Sequence, residues 1–161
     1  MGLSTLGIFH TIIGIAAIIA GLVSFTQDGK INLAKLSGKI YFYGTIITSL
    51  TALGFTKHGR FNPGHVFSLL IAAIVIIAFV LHLRKGNNKT RYFENFLLSL
   101  SFFLSLVPTV NETLTRVPIG QPVASGPGDP IIKQILTVFL LLFVAGSVYQ
   151  FIRQRRINGT F

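Results

Sequence analysis

Five apolar runs follow one another along this chain, at approximately 6–25, 38–55, 63–83, 93–113 and 130–152. Each is close to the roughly 20 residues that an α-helix needs to cross a hydrocarbon core about 30 Å thick. Short basic or turn-forming stretches separate them, so little of the sequence is left over for a water-soluble domain. Of the 161 residues only 11% are charged and 51% are hydrophobic, whereas a soluble domain carries about 25% charged residues. A globular protein of this size could not cover itself with so few polar side chains. The expected fold is therefore all-α: a single polytopic transmembrane helix bundle over residues 1–161, with five spans, four forming a core and the fifth peripheral.

Local signals mark several span ends. The first run stops at Thr26-Gln27-Asp28-Gly29, and it reads as a retained helix because no basic segment and no small-residue cleavage site frame it. The second is short unless Ser37 to Lys39 form its first turn, with the Lys39 ammonium reaching the interface. Asn62-Pro63 and Asp129-Pro130 each combine a capping side chain with proline at the first helical position, where its missing N–H is harmless. Pro108 lies inside the fourth run and is expected to kink it. The 114–129 stretch, rich in proline and glycine, reads as an outer loop: a linker, or a cover over the outer end of the bundle.

Basic residues set the orientation, since cytoplasmic loops carry the Lys/Arg excess. Lys30, Lys35, Lys39, Arg84, Lys85, Lys89, Arg91, Arg153, Arg155 and Arg156 fall on one side, and Lys57, Arg60, Arg116 and Lys133 on the other. An odd number of spans with the N-terminus outside and the C-terminus cytoplasmic reproduces that asymmetry. The net charge of +10 would suggest nucleic acid in a soluble protein, but here the cations border the membrane. Lipid headgroups are the expected partners, with no nucleic acid, and the expected location is the bacterial inner membrane. Self-association or a partner membrane subunit is compatible with the same surface. The absence of cysteine excludes disulfides, iron–sulfur clusters and thiol chemistry.

Small and polar residues show which faces turn inward, because membrane helices meet through Gly, Ala, Ser and Thr rather than through large aliphatic side chains. Gly7, His10, Gly14, Ala17, Gly21 and Ser24 form such a seam in the first span; Ser37, Tyr41, Gly44, Thr48 and Thr51 form one in the second. His65, Ser68 and Ala72 follow in the third, and Ser101, Ser105, Thr109 and Glu112 in the fourth. The fifth has Leu140-Leu141-Leu142-Phe143 at its middle and no seam there. At a rise of about 1.5 Å per residue, His10, His65 and Glu112 lie at one outer level, with His58 in the adjoining loop. His82, beside Arg84 and Lys85, reads as a headgroup anchor at the cytoplasmic end.

Three functions suit that outer constellation. His10, His65 and Glu112, with His58 or water as a fourth ligand, make a two-histidine, one-carboxylate set suited to Zn²⁺ or Fe²⁺. Alternatively, His10 and His65 are axial ligands of a b-type haem in a redox or quinone-linked subunit. In the third reading the seams simply hold together a non-catalytic scaffold or lipid-binding protein. The chain contains no nucleophile elbow and no phosphate-binding glycine loop after a strand, and no reaction is assigned.

The stretch Leu36-Ser37-Gly38-Lys39-Ile40-Tyr41, followed by Thr51-Ala52-Leu53-Gly54 and Gly64-His65, with His10 in the first span, resembles small bacterial predicted membrane proteins of unknown function. These are distantly b561-like. The likeness covers roughly the first half of the chain and implies the architecture alone. A two-haem pattern would need further inner-side ligands, where this sequence offers only His82.

Overall fold

A computed structural model of the chain describes residues 4–54, 63–84 and 87–159. Five helices follow in order: α1 (Thr5–Asp28), α2 (Leu36–Ala52), α3 (Pro63–Leu83), α4 (Asn88–Arg116) and α5 (Pro130–Ile157). No strand occurs among the described residues. Four of the helices, α1, α3, α4 and α5, are long and apolar enough to cross a membrane; α2, with 17 residues, is shorter. The chain divides into two compact units, Met1–Ser101 and Phe102–Phe161. Helix α4 contributes its first part to one unit and its remainder to the other.

In the first unit, α1 and α2 form an antiparallel hairpin. Ser4 caps α1 by accepting from the Gly7 N–H at 3.1 Å. At the other end Gly29 takes the left-handed conformation at φ 68° and returns its N–H to the Phe25 carbonyl, the usual glycine stop for a helix. The chain then turns over Ser24, a side chain fully buried beneath the loop. The Ser24 hydroxyl donates to the Lys30 carbonyl at 3.1 Å and accepts from the Asn32 N–H at 2.9 Å. An Asp28–Lys35 ion pair at 2.7 Å closes the turn on its exposed side.

From this turn the two helices run together in a constant register. A Cβ placed on Gly44 would meet the Ala17 Cβ at 2.8 Å, one on Gly14 would meet Thr48 Cγ2 at 3.4 Å, and one on Gly54 would meet Leu6 Cδ2 at 2.6 Å. His10 faces Thr51 in the same series. The small residues bring the backbones close enough for dispersion contacts to hold the pair, as membrane helices require when lipid is as apolar as their own side chains. Helix α2 also meets α3, where Phe42 and Phe79 stack with centroids 4.5 Å apart. Helix α3 buries His65, Ser68, Ile71, Ala72, Val75 and Ala78, the same face that its sequence pattern indicated.

In the second unit, Pro108 lies inside α4, which continues through it, leaving no N–H for the carbonyl of Leu104. Beyond Arg116 the loop folds back on α4: the Ala124 N–H donates to the Leu114 carbonyl at 2.9 Å, and Ala124 is buried. Asp129 then caps α5 by accepting from the Ile131 N–H at 3.1 Å, with Pro130 at the first position. Phe103 and Phe143 stack at 5.4 Å between α4 and α5. The rest of α5 is largely exposed, with Leu140, Leu141, Leu142, Val144 and Val148 all outward.

Candidate functional site

The outer constellation starts with His10 on α1. Its Nδ1 lies 2.9 Å from Thr51 Oγ1 on α2. The Thr51 hydroxyl directs its single proton at carbonyls of its own helix, Ile47 at 2.9 Å and Thr48 at 3.0 Å. The histidine is therefore the donor, and the network assigns its proton to Nδ1. His65, in the first turn of α3, is 4% exposed, and its carbonyl accepts from the Ser68 hydroxyl at 3.0 Å. His58 lies outside the described residues, as does Asn62, the expected cap of α3.

Glu112 departs from the sequence reading. Its side chain is 52% exposed and pairs with Arg116 four residues on, instead of turning inward as the seam on α4 suggested. The physical reason is local: an exposed (i, i+4) acid–base pair on a helix needs no partner from elsewhere. Ser101, Ser105 and Thr109, which share its seam, are buried or half-buried. Among the described residues no group of three His, Asp or Glu side chains is assembled to hold a metal ion.

A second constellation, which the sequence reading missed, lies where α3 ends and α4 begins. Glu94 is only 3% exposed. Its Oε1 accepts from His82 Nδ1 at 2.6 Å and its Oε2 from Arg91 Nη1 at 2.5 Å. A buried carboxylate needs opposite charge and hydrogen bonds to both oxygens; here the guanidinium supplies charge from the same helix and the imidazole comes from the neighbouring one. Because the carboxylate accepts, His82 carries a proton on Nδ1. The signal was available. His82 lies in the last turn of α3 and Glu94 in the second turn of α4, and Glu94 is the acid nearest to His82 in the sequence.

Between these two ends some buried polar groups bond to one another, while Ser37 Oγ and Thr48 Oγ1 on α2 have no hydrogen-bond partner among the described residues. Tyr41, with no exposed surface, places its hydroxyl 2.8 Å from Ser101 Oγ. Ser101 donates to the Leu98 carbonyl at 2.8 Å, so the tyrosine is the donor. Thr45, Ser49, Ser68 and Ser99 are also buried. No family model, curated protein or solved structure matches this chain. Its function is therefore read from its own side chains.

Proposed function

We propose that this chain is a five-span protein of the bacterial inner membrane that serves as a non-catalytic, lipid-embedded helical framework. One observation carries the reading: several seam side chains hydrogen-bond to one another or to nearby backbone, as in His10 with Thr51, Tyr41 with Ser101, and Ser24 with the 30–32 loop. The seam atoms that lack a partner among the described residues, Ser37 Oγ and Thr48 Oγ1, stand 11 residues apart on α2 and so about 16 Å from each other. Such bonds glue membrane helices together, each contributing roughly 0.6 to 2 kcal/mol. An arrangement built to bind a substrate or ion would leave convergent groups pointing at a common centre.

The α1–α2 register supports counting α2 as the fifth crossing. At 17 residues it is about 26 Å long, and it lies alongside α1 from the Gly29 turn to Leu6 and Gly54. If α1 crosses, its antiparallel partner crosses with it, and Leu53 and Gly54 make up part of the missing length. The Lys/Arg distribution then supports the N-terminus outside and the C-terminus in the cytoplasm. Lipid is the partner for the outward leucines and valines of α5.

Purification in mild detergent, followed by metal analysis by mass spectrometry and an absorbance spectrum, tests the proposal. The expected result is no stoichiometric metal and no Soret band, with His10→Ala and His65→Ala both retaining full helical content. Bound zinc or iron that is lost in either variant would replace the framework with a metal centre. A Soret band would replace it with a haem subunit.

A further inference from the structure

The loop between α4 and α5 has the composition and placement of a membrane anchor. From Val117 to Gly128 it contains no charged residue, with Arg116 before it and Asp129, then Lys133 in the first turn of α5, after it. The loop is ordered by its own backbone: besides the bond from Ala124 to Leu114, the Val123 N–H donates to the Val117 carbonyl at 3.3 Å. Folding back in this way throws its apolar residues outward. Ile119 is 97% exposed, and Val117 and Val123 are each about half exposed.

The level of the loop follows from the helices that carry it. Helix α5 begins at Pro130, carries Lys133 and Gln134 early, and is mainly apolar from Ile135, about 8 Å further on, so its first turn lies on the headgroup side of the hydrocarbon boundary. The apolar part of α4 ends at Val110, about 9 Å before Arg116 at the helix end. Both attachment points thus fall at the headgroup edge of the interfacial layer, which adds roughly 5 to 8 Å to each side of the hydrocarbon core. A short loop folded back on its own helix stays in that layer.

We infer that the Val117–Val123 tip is an interfacial lipid anchor: Ile119, with Val117 and Val123, inserts among the headgroups, while Lys133 meets lipid phosphates and Arg116 does so with the guanidinium N–H groups that its pair with Glu112 leaves over. The anchor rests on α4 and α5 being spans. Only the choice of the outer leaflet rests on the proposed orientation, and the framework reading plays no part in it. The uncharged tip suits the desolvated side of the interface, and the flanking cations suit its phosphate side.

The native chain has no cysteine, so single-cysteine variants report without background. Ile119→Cys, carrying an environment-sensitive fluorophore, is reconstituted in vesicles of phosphatidylethanolamine with a minor fraction of phosphatidylglycerol. Leu141→Cys, at the exposed middle of α5, and Asn88→Cys, at the exposed start of α4, are the lipid and water references. The expected result is several-fold stronger quenching of Ile119→Cys than of Asn88→Cys by lipids bearing a nitroxide near the headgroup, together with shielding from aqueous iodide. Iodide access equal to that of Asn88→Cys would place the loop in water and overturn the inference. Shielding from iodide without nitroxide quenching would mean that protein covers the tip, and would overturn it equally. If Leu141→Cys were itself unquenched by deep nitroxide lipids, α5 would not be a span, and that failure is distinct from failure of the anchor.

Discussion

Gly38→Ala is the most exacting perturbation of the α1–α2 hairpin. Gly38 lies in the first turn of α2, directly beneath the loop held by Ser24. A Cβ at that position would lie 2.0 Å from the Asn32 carbonyl oxygen, 2.4 Å from its carbon and 2.9 Å from the Leu33 nitrogen. Normal carbon–oxygen contact is about 3.3 Å or more, so the loop backbone must retreat by more than 1 Å. No side-chain rotation can relieve a clash with main-chain atoms. Overpacking of this kind costs about 1–3 kcal/mol. Displacing Asn32 also weakens the two hydrogen bonds of the buried Ser24 hydroxyl, at about 1 kcal/mol each. Against this, alanine gains roughly 1 kcal/mol of helix propensity over glycine.

The net expectation is a loss of about 2–4 kcal/mol. It is measured by unfolding in mixed micelles of rising SDS fraction, followed by far-ultraviolet circular dichroism. Gly146→Ala in the interior of α5 is the matched control, because a Cβ there meets nothing within 4 Å; it should be neutral or stabilising by up to about 1 kcal/mol. If both substitutions shift the midpoint in the same stabilising direction, helix propensity outweighs the backbone clash and the close approach of the loop to α2 is refuted.

Four further outcomes are expected. Removing the guanidinium in Arg91→Ala leaves the buried Glu94 carboxylate without its permanent charge partner and should cost about 3 kcal/mol or more; adding Glu94→Gln should recover a substantial part of that loss, and failure to recover it would show that the carboxylate was not the destabilised group. Nitrogen-15 NMR of labelled His82 should find the proton on Nδ1, with Glu94→Gln weakening that preference, whereas an Nε2–H tautomer in the native protein would contradict the geometry. Tyr41→Phe deletes the hydrogen bond to Ser101 but leaves Ser101 its bond to Leu98, so a loss of about 1 kcal/mol or more is expected in the same SDS titration. The Asp129 carboxyl is held below its ordinary range, first by the Ser125 N–H and then by the Ile131 N–H and the Ser125 hydroxyl. A depressed carboxyl stabilises the fold above its unfolded value and loses that effect as pH falls through the folded one, so hydrogen exchange should show Ser125 and Ile131 protected at neutral pH and opening in acid, with Asp129→Asn insensitive to the change.

Helix positions were legible because hydropathy and caps are local. Pro63 to Leu83 was bounded as observed, and Asp129-Pro130 started α5 where the sequence placed it. The small-residue seams were legible too: Gly7, Ala17, Gly21 and Ser24 are buried on α1, and Tyr41 and Gly44 on α2. Glu112 was misread because a seam assigns a face by periodicity, while an acid with an arginine one turn away has a solvent-side alternative that periodicity ignores. His82 was misread for a related reason. Neighbouring cations made it look like an anchor, but its decisive partner is 12 residues away across a turn.

These two misreadings point the same way. In a chain with only four acidic residues, each carboxylate found a cation or a backbone donor close in sequence: Asp28 with Lys35, Glu94 with Arg91 and His82, Glu112 with Arg116, Asp129 with the turn it caps. Local pairing is what a membrane environment favours, since a charge that waits for a distant helix must enter the bilayer uncompensated, at roughly 2.5 to 3.5 kcal/mol near its centre. A carboxylate in such a sequence is therefore better assigned first to its nearest cation within one helical turn or across one hairpin. Only an acid without such a neighbour should be sought in a site assembled from separate spans. By that criterion Glu112 is assigned to Arg116 before it is assigned to His10 and His65, and Glu94 with His82 and Arg91 is the buried ionic cluster among the described residues.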